Sequence, residues 1–218
     1  MTTTRPSTRD AIVGAALELF RERGFDGTTM RAVADRAGVS VGNAYYYFSS
    51  KDELVQGFYD QLVAEHRALA LPAMAGHTDL GERLGATLHA WITAAEPYRE
   101  FAGRFFAVAA QPGNPLSPFS PDALPARAAA VELYQEVLAG SRVDPDPELA
   151  RELPELLWLQ HLGIVLFWVH DRSPHAARTR LLVDRTVPMV ARLVRLSRLP
   201  VLRPLGRQVV DLVRALRE

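Results

Sequence analysis

The chain has no cysteine, so disulfides, thiolate metal sites and a cysteine nucleophile are excluded by composition. It has a single lysine, Lys51, against 24 arginines. It also has no net charge, with 25 basic and 25 acidic side chains, so its summed field does not draw it to nucleic acid. The longest uninterrupted apolar run, Leu162 to Val169, falls far short of the ~20 residues that a bilayer-crossing helix needs. Met1 to Pro6 lacks the apolar stretch of a secretion signal. A cytoplasmic address with no membrane partner is expected. No phosphate-binding loop, nucleophile motif or metal-ligand spacing occurs, so neither a cofactor nor a metal nor catalysis is expected.

Local charge is uneven. Residues 1–66 carry 7 basic and 9 acidic side chains, residues 67–171 carry 7 and 13, and residues 172–218 carry 11 and 3. The basic segment is therefore the C-terminus. Any nucleic-acid site near the N-terminus must work with a few well-placed donors.

What the sequence does have is helical periodicity throughout, with no sustained period-two alternation, which predicts an all-α fold. A first helix follows Pro6, capped by Ser7 or Thr8, with Val13, Ala16, Leu17 and Phe20 on one face and a stop at Gly24. A short second helix starts at Thr28 or Thr29, buries Val33, Ala34 and Ala37, and ends at Gly38. Ser40 caps a third helix that runs to about Tyr47. Ser50 to Glu53 has capping-box spacing for a long fourth helix that Pro72 closes. Further helices are expected at about 79–96, 98–111, 122–139, 147–171, 174–199 and 201–217. Ser173-Pro174 is read as a cap with proline at the first helical position. Pro154 and Pro188 imply either later starts or kinks. The proline-rich stretch 112–125 reads as an irregular loop.

Thr29 to Lys51 (TMRAVADRAGVSVGNAYYYFSSK) is the informative segment. Two short helices joined by the tight Gly38-Val39-Ser40 turn make a helix-turn-helix, whose second helix can lie in a DNA major groove. Ser40, Val41, Gly42 and Asn43 stand at that helix's N-terminal end, where free N–H groups and the positive helix pole favour phosphate and base edges. Gly42 allows close backbone approach, and Asn43 can pair with an adenine edge or a phosphate. Tyr45, Tyr46 and Tyr47 point about 100° apart, so they cannot all be core. Phe48, Ala44, Val33, Ala34 and Val39 complete the apolar faces of the unit. Ser40 is at least a cap, Tyr45 is open between core and DNA, and Arg31 is a surface arginine or a DNA contact.

Gly24-Phe25, Thr28-Thr29, Ala37-Gly38-Val39-Ser40, Gly42, Tyr45-Tyr46-x-Phe48 and Lys51 followed by Leu54 together resemble the tetracycline-repressor (TetR/AcrR) family of bacterial regulators. The resemblance covers roughly residues 7–60. It implies a three-helix DNA-binding domain (7–55), a linking fourth helix (51–71) and a larger helical ligand-binding and dimerisation domain (72–218). It further implies that Tyr45, Tyr46 and Lys51 contact the DNA backbone, and that Thr29 and Arg31 do likewise or reach a base. Many members carry histidine where this chain has Tyr47, which keeps a donor but removes a potential charge. A cation at Lys51 opposes the dipole of the helix it starts, so Lys51→Ala is expected to leave stability unchanged or slightly raised.

Residues 79–218 resemble the family in layout only. Leu153 to Val169 leaves almost no polar face, and Leu181, Leu182, Val183, Val187, Val190, Leu193, Val194 and Leu196 follow between arginines. Such surface suits either a monomer core or, as the resemblance implies, a four-helix bundle with a second copy. Aromatics gather in the same region, as they would in an ordinary core or in a small-molecule pocket. The resemblance favours a pocket for an unknown apolar or amphipathic effector among Trp91, Phe105, Trp158, His161 and Trp168. The function implied is a homodimeric repressor that binds double-stranded operator DNA. Two other readings compete with it: a helical enzyme using His161, His170 and Asp171, and a binding protein that no longer binds DNA.

Overall fold

The computed structural model describes residues 7–99, 102, 106, 109, 114, 117–201 and 203–215, and all secondary structure among them is helical. The helices are α1 (Thr8–Arg23), α2 (Met30–Ala37), α3 (Val41–Tyr47), α4 (Lys51–Met74), α5 (Leu80–Ala95), α6 (Leu124–Ala139), α7 (Pro147–His170), α8 (Ala177–Leu196) and α9 (Arg203–Ala215). The chain divides into two compact units. The first comprises residues 1–64 and 97–127, the second 65–96 and 128–218. Helix α4 starts in the first unit and ends in the second.

In the first unit, Ser7 accepts a bond from Asp10 N–H while the Asp10 carboxylate takes Ser7 N–H, a reciprocal pair that fixes where α1 begins. The helix buries Ile12, Ala15 and Leu19 as well as the expected Val13, Ala16, Leu17 and Phe20. More than one face is covered because α1 lies at the centre of a cluster containing Met30, Val33, Ala34, Ala44, Phe48, Leu54, Val55 and Phe58. Packing against α4 is tight: a Cβ on Gly57 would meet the Phe48 ring at 2.8 Å and Val13 at 3.2 Å.

In the second unit, α5 packs on α8, while α7 packs on both α8 and α9. Arg83 ties the C-terminal ends of two helices by donating to the carbonyls of Met74, His77, Glu136 and Val137 at 2.8–3.2 Å. Met74 and Val137 lie in last turns, where carbonyls run out of intrahelical donors.

Two boundaries differ from expectation. Helix α4 runs through Pro72 to Met74. Pro72 has no N–H to give the carbonyl of Ala68, but both residues are exposed, where a carbonyl without an intrahelical donor is tolerated. Pro154 and Pro188 also lie inside continuous helices, and Pro188 sits on an exposed face. At the second boundary Pro174 to Ala176 form a 3-10 turn and α8 starts only at Ala177. Asp171, not Ser173, organises this corner: its carboxylate accepts from the N–H and hydroxyl of both Ser173 and Thr179 at 2.7–2.9 Å. His175 (φ 52°) and Ala176 (φ 55°) are thereby held in the left-handed region, where L-residues lose ~1 kcal/mol or more each. Most of the expected 98–111 helix, parts of the 112–125 loop, and positions 202, 216 and 217 of the 201–217 segment fall outside the described residues.

Candidate nucleic-acid interface

The interface is built from local capping chemistry. Helix α2 starts where the Thr29 hydroxyl accepts from Ala32 N–H at 3.2 Å. It ends at Gly38, whose φ of 69° puts it in the left-handed region that favours glycine. Val39 N–H bonds Ala34 O at 3.0 Å and Gly38 N–H bonds Asp35 O at 3.3 Å, the Schellman pair. Two residues later the Ser40 hydroxyl accepts from Asn43 N–H at 3.1 Å and starts α3. The stop of one helix and the start of the next are thus separated by three residues, and this sets the hinge of the helix-turn-helix.

Helix α3 buries only Ala44, with Val41 packed part-buried against the core and Phe48 just beyond its end. The remainder faces out. Tyr45 is 51% exposed, Tyr46 82% and Tyr47 39%, which decides the open question at Tyr45 in favour of the surface. Tyr46 and Tyr47 meet edge to face, with centroids 5.3 Å apart. Ser40, Gly42 and Asn43 are exposed and Val41 is half-buried. A Cβ on Gly42 would have no atom within 4 Å, so nothing inside the chain requires glycine there. Thr29 and Arg31 are exposed beside it, and Arg31 makes no ion pair among the described residues.

Positive charge is scarce here because much of it is committed internally. Arg36 is bound by Glu18 and Glu22 at 3.0 and 2.8 Å. The bond from Arg36 in turn lowers the Glu22 pKa, against the opposing effect of partial burial. Arg9 pairs with Asp60 at 3.2 Å and lies over the Phe48 ring. Lys51 is half-buried. Its ammonium donates to Phe25 O at 2.8 Å and sits 4.5 Å from the centre of the Phe25 ring. This clamp on the α1–α2 turn opposes the gain expected from removing a cation at a helix start, so Lys51→Ala is expected to lose stability. Glu53 likewise departs from a reciprocal capping box: its N–H bonds Ser50, but its carboxylate takes Ser49 N–H.

In the second unit Trp91, Trp158, His161 and Trp168 are all buried, whereas Phe105 lies outside the described residues. The His161 ring is 4.9 Å from Trp91, and Trp91 is 5.2 Å from Trp168. Two further rings join this cluster, Tyr134 and His66, 6.0 and 5.5 Å from His161. Tyr134 is one of the aromatics that gather in this part of the sequence, whereas no local signal marks His66, which α4 brings in from a distant part of the chain. Burial lowers His66 to about 4, partly countered by its bond to Thr87 O, and burial together with His66 lowers His161. A separate open groove of about 480 Å³ between α5 and α8 is lined by residues such as His77, Gly85, His89 and Pro188, and by none of these aromatics. His161, His170 and Asp171 do not converge. His161 is enclosed by rings, His170 bonds Leu166 O at 2.9 Å, and Asp171 is spent on Ser173 and Thr179.

An exposed α3 set on a capped turn, in a chain that also folds a separate helical unit, defines a helix-turn-helix regulator. The family model for tetR-family bacterial regulatory proteins matches residues 12–57, and that for the tetracyclin repressor-like C-terminal domain matches residues 83–216. The chain belongs to the TetR family of DNA-binding transcriptional regulators, and is not an enzyme. It is 33% identical over 98 residues to the HTH-type transcriptional repressor KstR2 of Rhodococcus jostii, covering 43% of this chain and 44% of that one. To KstR2 of Mycobacterium tuberculosis it is 43% identical over 65 residues, 28% and 32% of the two chains. The chain thus matches less than half the length of these curated relatives. A TetR transcriptional regulator from Nitrosomonas europaea shares the fold with a TM-score of 0.67 at 23% identity, over 86% of this chain and 100% of that one. Among the described residues no helix is long and apolar enough to cross a membrane.

Proposed function

We propose that the chain is a homodimeric repressor that holds two copies of α3 in successive major grooves of operator DNA, and that an apolar or amphipathic small molecule in the second unit releases it. The observation that carries this reading is the N-terminal end of α3. Gly42, Asn43, Tyr45 and Tyr46 are exposed and serve no core, although a seven-residue helix in a small unit has few positions to spare. In this reading Ser40, Val41, Gly42 and Asn43 meet phosphate and base edges, and Thr29, Arg31, Tyr45, Tyr46 and Tyr47 flank them. Lys51 holds the Phe25 turn in register while its remaining donors reach a phosphate.

Dimerisation is supported by apolar side chains left outside the fold on α7 and α8, Leu166, Phe167, Leu181, Met189 and Leu193, the last two over 60% or 60% exposed. Repression is supported by the name that the KstR2 relatives carry. A ligand response is supported by the buried aromatic cluster around His161. The test is an electrophoretic mobility shift with DNA from upstream of the chain's own gene. A complex that survives excess unrelated DNA and is lost in Tyr46→Ala, at unchanged melting temperature, bears the proposal out. Equal binding to any DNA refutes it.

A further inference from the structure

We propose that the interior of the second unit binds an uncharged, hydroxyl-bearing apolar molecule whose oxygen is held among His161, Tyr134 and Trp168. This names the effector class for the ligand response proposed above and rests on that reading. Tyr134 is 0%, Trp168 2% and His161 6% exposed. Yet Tyr134 Oη, Trp168 Nε1 and both ring nitrogens of His161 have no hydrogen-bond partner among the described residues. Buried side-chain polar atoms nearly always have partners, and each one left without costs ~1–3 kcal/mol. Here the unpartnered atoms belong to one connected group of rings: His161 contacts Tyr134 and Trp91, and Trp91 contacts Trp168. A fold does not gain by concentrating such costs in its interior unless another molecule relieves them.

The chemistry of the group selects the ligand. A neutral imidazole offers one donor and one acceptor, a phenol the same, and an indole one donor. A hydroxyl both accepts and donates, so it answers both kinds of site, whereas a ketone answers donors only. A carboxylate would need a cation beside it. His161 resists becoming one, because burial disfavours its protonated form and the His66 ring 5.5 Å away adds to that resistance. An ammonium would find acceptors but no anion in the group. The faces of Trp91 and Trp168 supply apolar walls. Seating the molecule requires these packed rings to part, so binding favours a second arrangement of α5 and α7 and can be felt elsewhere in the unit.

The test uses the full chain at pH 7.5 and its own fluorescence, since all three tryptophans, Trp91, Trp158 and Trp168, are buried in this unit. It is titrated with 1-decanol, decanoate and decylammonium below their aggregation limits. Decanol should give a saturable change at a concentration at least ~tenfold lower than either ion. Tyr134→Phe should weaken decanol ~3- to 10-fold without lowering the melting temperature, because in the free chain the hydroxyl holds nothing. Trp168→Phe, which removes the indole N–H, makes the same test if the first variant folds poorly. Decanoate binding as tightly as decanol, no saturable response to decanol, or unchanged affinity in the folded variants each overturns the inference. None of these results bears on the mobility shift, so failure of operator binding is read separately.

Discussion

Gly42→Ala separates what α3 needs in order to fold from what it needs in order to bind. Gly42 is the second residue of the helix, it does not have a left-handed backbone, and a methyl there meets no atom within 4 Å. Alanine is favoured over glycine in helix interiors by ~0.5–1 kcal/mol, and a first-turn position should show the lower end of that range. The free chain should therefore be unchanged or more stable by about 0.5 kcal/mol in urea unfolding. On DNA the same methyl stands where the backbone must come close. Losing one charge-assisted phosphate contact costs ~1.5–3 kcal/mol, which is roughly ten- to a hundredfold in Kd by fluorescence anisotropy. Wild-type operator affinity in Gly42→Ala would refute the assignment of this surface. Gly57 gives the contrasting case, because the Phe48 ring and Val13 occupy the space of its absent Cβ.

Gly57→Ala should destabilise the chain by ~1–3 kcal/mol through overpacking, with operator affinity lost only in proportion to unfolding in the same urea titration. Lys51→Ala should lose ~1 kcal/mol of stability, because it removes the bond to Phe25 O and the contact with that ring, and should lower the salt slope of DNA binding by about one unit per subunit. Burial opposes ionisation of Asp171, but the bonds from Ser173 and Thr179 outweigh it and hold the carboxyl well below its usual range. Its stabilisation is therefore present above the ordinary value of 3.8 and is lost as pH falls below it. Asp171→Ala should cost ~2–4 kcal/mol at pH 7, seen as a lower urea midpoint, since it strands Thr179 inside the fold. His66 behaves in the opposite sense to an ordinary surface histidine. With a folded value of about 4 against an ordinary 6.5, the unfolded chain takes up the proton first, so stability present above pH 6.5 declines toward pH 4 by ~3 kcal/mol. A melting-temperature profile over that window should become shallower in His66→Gln, the buried His161 keeping part of the slope.

Legibility followed sequence distance. Ser7, Thr29, Gly38 and Ser40 mark helix ends through bonds that span only a few residues, so propensity and spacing locate them. The tyrosine run was partly legible: helical geometry required some of it to face outward, but it did not reveal that Ala44 and Phe48 meet the core's needs without Tyr45. The clamp from Lys51 to Phe25 joins residues 26 apart, and dipole reasoning on one helix cannot see it. The corner at Asp171 was misread because Ser-Pro is a strong local start signal, yet four bonds to one carboxylate outweigh it. Pro72 misled for the reverse reason: a helix tolerates a missing donor where the carbonyl it would serve is exposed. In the second unit the grouping of Trp91, Trp158 and Trp168 with His161 was readable from composition and period, but the approach of His66 to His161 was not, because it comes from a separate helix and carries no aromatic signal of its own.

The absence of cysteine makes the central claim directly measurable. In Asn43→Cys the new thiol, at the exposed N-terminal end of α3, would be the only one in the chain, and can carry a tethered iron chelate that cuts DNA within its reach. Gln135→Cys, at an exposed position of α6, serves as the control. On DNA from upstream of the chain's own gene, the Asn43 label should give two clusters of cuts in the major groove, separated by about one helical turn, ~34 Å, or a longer related spacing, while the Gln135 label gives none there. Cuts spread evenly along the fragment, or the same pattern from both labels, would contradict the assignment of α3 as the element that reads DNA.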